Sequence, residues 1–172
     1  MSNGSSGGRR TAITLLVSIV NVAVVGIVFT LTRLRPESLA AGYRLAPLRV
    51  ARLDGIPVVL AAGGGAKHAW IIVKPSCHLC RAELAKLERD GAHTPFDVVS
   101  LGSVEETRKL MALLPRLRPR TFAAGGELER AYGRCRVPTI LLLGPDGRIV
   151  ARSRGATRQV DELSALMLAS AP

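Results

Sequence analysis

The stretch VKPSCHLCRAEL, Val73 to Leu84, constrains this chain more than any other. Ahead of it, AWIIVK (Ala69 to Lys74) is one continuous apolar run, the pattern of a strand buried on both faces. Behind it, Cys80, Leu84 and Leu87 recur at i, i+4 and i+7, which is one face of a helix, and Gly91 is placed to cap its end. The two cysteines therefore fall at a strand-to-helix junction. That position suits a redox dithiol, and the same spacing also serves half of a zinc site or two buried core residues.

The chain has 172 residues, which is one membrane segment plus about one ordinary domain, large enough to build a hydrophobic core. Three cysteines are too few for a disulfide scaffold. The formal net charge is +11, and aromatics make up only 3% of the residues. The arginines are scattered, and the densest run, PRLRPR (Pro115 to Arg120), has no interleaved aromatics and no nucleic-acid motif beside it. The basic balance reads as a solvated surface, or as one attracted to anionic lipid headgroups, with no nucleic-acid partner.

Residues 1–10 read as a disordered tail. Thr11 to Thr32 is 22 residues without a charge. At about 1.5 Å per residue such a helix spans a bilayer's hydrocarbon core, and residues 11–32 are expected to be a single transmembrane helix. A cleaved signal has a shorter apolar region, although Ser38 to Ala40 offers a cleavage site. Arg9 and Arg10 precede the segment, whereas Arg33, Arg35, Arg44, Arg49 and Arg52 follow it, and counted simply these charges favour a cytoplasmic domain. Long folded domains translocate largely regardless of that count, and a tethered dithiol suits the oxidising side. The expected placement is a single-pass cell-membrane protein with its C-terminal domain extracytoplasmic.

Residues 33–47 show no clean period and read as a linker, leaving residues 48–172 as the folded domain. Leu48 to Leu60 is two β-prone runs around Asp54-Gly55, a hairpin signal. FDVVSL (Phe96 to Leu101) is a second buried strand. Ser103 with Glu106 forms a capping box, and the helix it opens should carry Leu110, Met111 and Leu114 before Pro115 and Pro119 end it. GELERAYG (Gly126 to Gly133) is a short helix, and VPTILLLG (Val137 to Gly144) a strand. Pro145-Asp146-Gly147 turns the chain into GRIVARS, Gly147 to Ser153. Val160, Leu163 and Met167 mark a closing helix. Parallel strands joined by helices, closed by an antiparallel hairpin, give an α/β sandwich.

These residues carry a resemblance. A strand, then CHLC at a helix N-terminus, then YGRCRVPTILLLGPDGRIVARSRGA resembles the thioredoxin-like superfamily. The Val137-Pro138-Thr139 step resembles its cis-proline loop, and Tyr132-Gly133, the Pro-Asp-Gly turn and Gly155-Ala156 fall where thioredoxins have similar residues. The N-terminal hairpin and CRAE (Cys80 to Glu83) are similar to the membrane-anchored TlpA/ResA branch. The MauD group, accessory proteins of methylamine dehydrogenase maturation, is also similar in its anchor and motif. The likeness runs from about Leu48 to Met167. It implies a central mixed sheet flanked by helices with an extra N-terminal β-hairpin, behind one transmembrane helix. Three positions depart from thioredoxin. Ser76 stands for the aromatic before the first cysteine, Ile71 for the buried acid of the central strand, and Arg136 for the small residue two before the proline. The TlpA/ResA likeness offers Glu83 in place of the missing acid.

Thiol–disulfide exchange needs a thiolate attacker, a second thiol in reach and a site for the partner chain. Cys77 at a helix N-terminus meets unpaired N–H groups that favour negative charge on its sulfur. Cys80, one turn inside, is suited to resolving the mixed disulfide, and a protonated His78 would further favour the thiolate. The resemblance implies that Val137 and Pro138 position the partner's backbone and that Glu83 moves the proton. Glu83 as a solvated helix residue is the plainer reading. The expected partners are a protein thiol or disulfide, the membrane and an upstream membrane redox protein, and no cofactor or metal is called for. The rival class is a non-catalytic metal carrier using Cys77, Cys80 and Cys135 with His78, His68 or His93. Cys135 reads as a small buried hydrophobe or, if the cis-proline loop abuts the dithiol, as a third exchanging thiol. His68 and His93 read as surface residues and Trp70 as core.

Overall fold

The computed structural model describes residues 39–91 and 95–154, together with residue 21. The chain divides into two compact units, Met1–Glu37 and Ser38–Pro172. Apart from residue 21, the expected transmembrane helix lies outside the described residues, as do the first part of the linker, His93 and the closing helix. No helix among the described residues is long and apolar enough to cross a membrane.

Within the second unit, β1 (Leu48–Arg52) and β2 (Pro57–Leu60) form the hairpin. Gly55 has φ 92°, and Arg52 donates to the Ile56 carbonyl across the turn. Then follow β3 (His68–Val73), α1 (His78–Asp90), β4 (Phe96–Ser100), α2 (Val104–Met111), a short 3-10 turn (Arg118–Arg120), β5 (Thr121–Ala123), α3 (Glu127–Tyr132), β6 (Thr139–Leu143) and β7 (Ile149–Arg154). They build one mixed sheet in the order β2-β1-β5-β4-β3-β6-β7. β3, β4 and β5 run parallel, and β6 and β7 close one side antiparallel.

The apolar run of β3 sorts by the two-residue period of a strand. Ala69, Ile71 and Val73 join Cys80, Leu84 and Leu87 of α1 and Met111 of α2 on one face. Trp70 and Ile72 join Leu128 and Tyr132 of α3 on the other. All five are wholly buried, which is why this strand reads as continuous rather than alternating.

Three expectations need correction. β5 was not expected: it is three residues long and follows the arginine-rich run, yet it joins the hairpin to the parallel strands. α2 ends at Met111, and Leu114 is buried beyond it, in the loop. Residues 39–47 are not a free linker. Leu39 and Leu45 are buried, and Gly42, Tyr43 and Leu45 exchange backbone hydrogen bonds with Gly147 and Ile149. Isolated backbone bonds leave no periodic trace in sequence.

Candidate active site

α1 begins at the dithiol. Cys77 is its N-cap, and the Cys77 sulfur accepts the backbone N–H of Cys80 at 3.2 Å. One of the orphan donors of the helix start is therefore satisfied by the sulfur itself. The Lys74 carbonyl accepts the Cys77 N–H at 3.0 Å, and Arg81 Nε donates to the Pro75 carbonyl at 3.1 Å. The turn that carries Cys77 is thus pinned from β3 and from α1. Gly102, at the end of β4, presses against it: a Cβ there would meet Pro75 Cγ at 2.5 Å. Sequence reasoning did not single out Gly102 or Lys74, because their roles are backbone contacts between distant segments.

The two sulfurs differ in environment. Cys77 is half-buried, while Cys80 is wholly buried beneath it. Burial, and then the hydrogen bond with Cys77, pushes the Cys80 thiol from 9.0 up to about 12, while a backbone hydrogen bond from Lys74 pulls the other way. Glu83 lies on the buried face of α1 with Cys80, Leu84 and Leu87 and is 4% exposed. The solvated reading of Glu83 is therefore wrong. His78 is exposed at the first position of α1.

The cis-proline loop arrives at the same end of the sheet. Ile72 of β3 pairs with Thr139 at the start of β6, so residues 134–138 enter beside the turn that follows β3. The Val137–Pro138 bond is cis. Pro138 is buried, and Val137 packs against the apolar clusters of both faces, sharing one of them with Cys77. Thr139 Oγ1 donates to the Arg136 carbonyl at 2.6 Å and holds the loop.

Solved structures with this architecture are numerous. The thioredoxin domain of a thiol–disulfide oxidoreductase from Bacteroides vulgatus superposes with a TM-score of 0.61 at 19% identity, over 75% of this chain and 99% of that one. A secreted disulfide oxidoreductase of Mycobacterium tuberculosis, homologous to the Escherichia coli protein DsbE, gives 0.57 at 20%, over 71% and 95%. StoA of Bacillus subtilis gives 0.54 at 19%, over 69% and 96%. The fold is thioredoxin-like. No protein-family model matches the chain, and no curated protein matches it significantly.

In this thioredoxin-like domain the remaining candidates separate from the dithiol. Cys135 is half-buried against the cluster that holds Trp70 and Tyr132, on the face opposite Cys80. Its sulfur lies 3.6 Å from the Gly133 carbonyl. Burial raises its thiol, Arg152 lowers it and Glu129 raises it, so the charges acting on Cys135 are those of β7 and α3. Among the described residues no three groups gather that could hold a metal. The three-thiolate carrier site is therefore not assembled among the described residues. His68 is not a plain surface residue. It opens β3, and its Nε2 lies 2.7 Å from Asp97 Oδ2 of β4, a partly buried pair. Trp70 is wholly buried, as expected of core.

Proposed function

We propose that the protein is a membrane-anchored thiol–disulfide oxidoreductase acting on protein thiols or disulfides. The observation that carries this is the unlike pair at α1: a half-buried sulfur at a helix N-terminus above a buried thiol pushed up to about 12. The Cys77 thiolate attacks one sulfur of a partner disulfide, and the other partner sulfur leaves and takes a proton. Cys80 then gives up its proton and attacks the Cys77 sulfur. The second partner thiol is released, and the Cys77–Cys80 disulfide remains. Two electrons have passed from the dithiol to the partner, and the reverse sequence oxidises a partner dithiol.

A thiol held so high needs a proton acceptor. Glu83 is buried one helical turn away, on the same face, and fills that role. Val137 and Pro138 present the loop against which the partner's backbone lies, and His78 stands at its exposed edge. A membrane redox protein resets the dithiol between cycles. The domain faces the extracytoplasmic side, tethered by residues 11–32. The MauD likeness implies, as a narrower second reading, a disulfide-rich extracytoplasmic partner such as the maturing methylamine dehydrogenase. Direction follows the potential of the pair, where about 30 mV is tenfold in equilibrium constant.

Trapping tests the assignment. Cys80→Ser should accumulate mixed disulfides with partners, because release is blocked, and Cys77→Ser should accumulate none. A ladder from Cys77→Ser alone would show that the order is reversed, and the same ladder from both variants would show that Cys135 attacks.

A further inference from the structure

Two loops frame Cys77, and both are basic. The first follows β3 and carries Lys74, with His78 and Arg81 at the start of α1. Arg81 is held beside the sulfur turn by its bond to the Pro75 carbonyl. The second is the cis-proline loop, where Arg134 and Arg136 are exposed. The pairing of Ile72 with Thr139 brings the two loops to one sheet end, and Val137 shares an apolar cluster with Cys77. Among the described residues, Lys74, Arg134 and Arg136 enter no ion pair.

Two acids near this end, Glu106 and Glu127, are engaged. Glu106 accepts from the N–H and hydroxyl of Ser103, and the backbone bond, the largest cause, holds its carboxyl below the usual range with a smaller pull from Lys74. Glu127 pairs with Arg130. Glu129 faces Cys135, as does Arg152. Arg134 and Arg136 are left exposed and outside any ion pair among the described residues, and Lys74 is exposed with Glu106 within its reach.

We infer that the partner of this site is an acidic polypeptide, with Asp or Glu flanking the cysteine it exchanges. The inference rests on the reading that Cys77 performs the exchange. Any chain that brings a sulfur to Cys77 between these loops passes Lys74, Arg134 and Arg136. Charge of the opposite sign speeds such encounters, and charge of the same sign slows them. An anionic lipid surface would meet the same cations, but it would cover Cys77 and supply no sulfur for it.

The test uses three synthetic peptide disulfides that differ only in their flanks: Glu, Lys or uncharged. Exchange with the reduced, full-length protein is timed at low and high salt. The Glu peptide should react at least about tenfold faster than the Lys peptide at low salt, and the gap should shrink with added salt. Arg134→Glu with Arg136→Glu should reverse the order. Arg89→Glu with Arg118→Glu makes the same charge change at the far end of α1 and before β5, and should preserve the order. Equal rates for Glu and Lys, with the uncharged peptide still exchanging, would overturn this inference alone. Equal loss of preference in both double variants would overturn it in favour of bulk charge. Shielding of Cys77 from alkylation by phosphatidylglycerol vesicles, without any peptide preference, would overturn it in favour of lipid. Failure of the uncharged peptide to exchange would remove the exchange reading as well.

Discussion

Cys80 shows how one buried side chain couples chemistry to stability. Its thiol is raised from 9.0 to about 12, chiefly by burial. Between those values the unfolded chain has released this proton while the folded chain still holds it. The native state then binds more protons, so stability falls as pH rises through that window, and below it Cys80 costs nothing. The urea midpoint of the reduced protein should therefore drop more steeply from about pH 8 to about pH 10.5 than that of Cys80→Ala. Parallel profiles would show that Cys80 is not held as a neutral thiol. At this scale the sequence was partly legible. The position of Cys77 and Cys80 between strand and helix is local and could be read. The burial of Glu83 was not read, although it lies three after Cys80 beside the face that Leu84 and Leu87 define. The His68–Asp97 pair joins two parallel strands 29 residues apart, and no local pattern reports it.

At the scale of elements, α1 is where fold and site are the same object. Its N-cap is the sulfur proposed to attack, so removing the thiol tests both. Serine is a strong N-cap and alanine is not. Cys77→Ser should keep the stability of the reduced protein, and Cys77→Ala should fall below Cys77→Ser by about 0.5–2 kcal/mol in denaturant titration. Equal stabilities would mean that the cap at 3.2 Å contributes nothing. The elements with strong local signals were legible. The Ser103–Glu106 capping box forms, Gly91 ends α1 with φ 74°, and Gly147 turns into β7 with φ 78°. β5 was not, because Thr121–Ala123 is too short to show a period and gains its strand form from β1 and β4 on either side. Cys135 read two ways in sequence, as a small buried hydrophobe or as a third exchanging thiol, for a related reason. Its neighbour Val137 touches both faces of the sheet, and which face a loop residue two positions earlier takes is decided by packing.

At the scale of the whole molecule, the proposal joins a dithiol domain to a membrane anchor. Disulfides persist outside the cytoplasm and are rare inside it, though catalytic dithiols work in both places, and the arginines after residue 32 argue for the inside. A C-terminal alkaline phosphatase fusion should be active, and an inactive one beside a bright cytoplasmic fluorescent fusion would place the domain inside. The architecture itself was legible because two distant motifs, the CHLC junction and the Val137-Pro138-Thr139 step, are brought to one end of the sheet. The packing of Leu39 and Leu45 was not, since those leucines sit in irregular chain. The central claim is that Cys77 and Cys80 form one two-electron couple. It is tested by equilibrating the reduced protein in glutathione buffers spanning roughly −120 to −300 mV and counting alkylated thiols by mass. The protein has three cysteines, and the account predicts one step from three alkylated thiols to one, with Cys135 the survivor and the step absent in Cys77→Ser and Cys80→Ser. Three free thiols across the whole range, or a disulfide that contains Cys135, would contradict it.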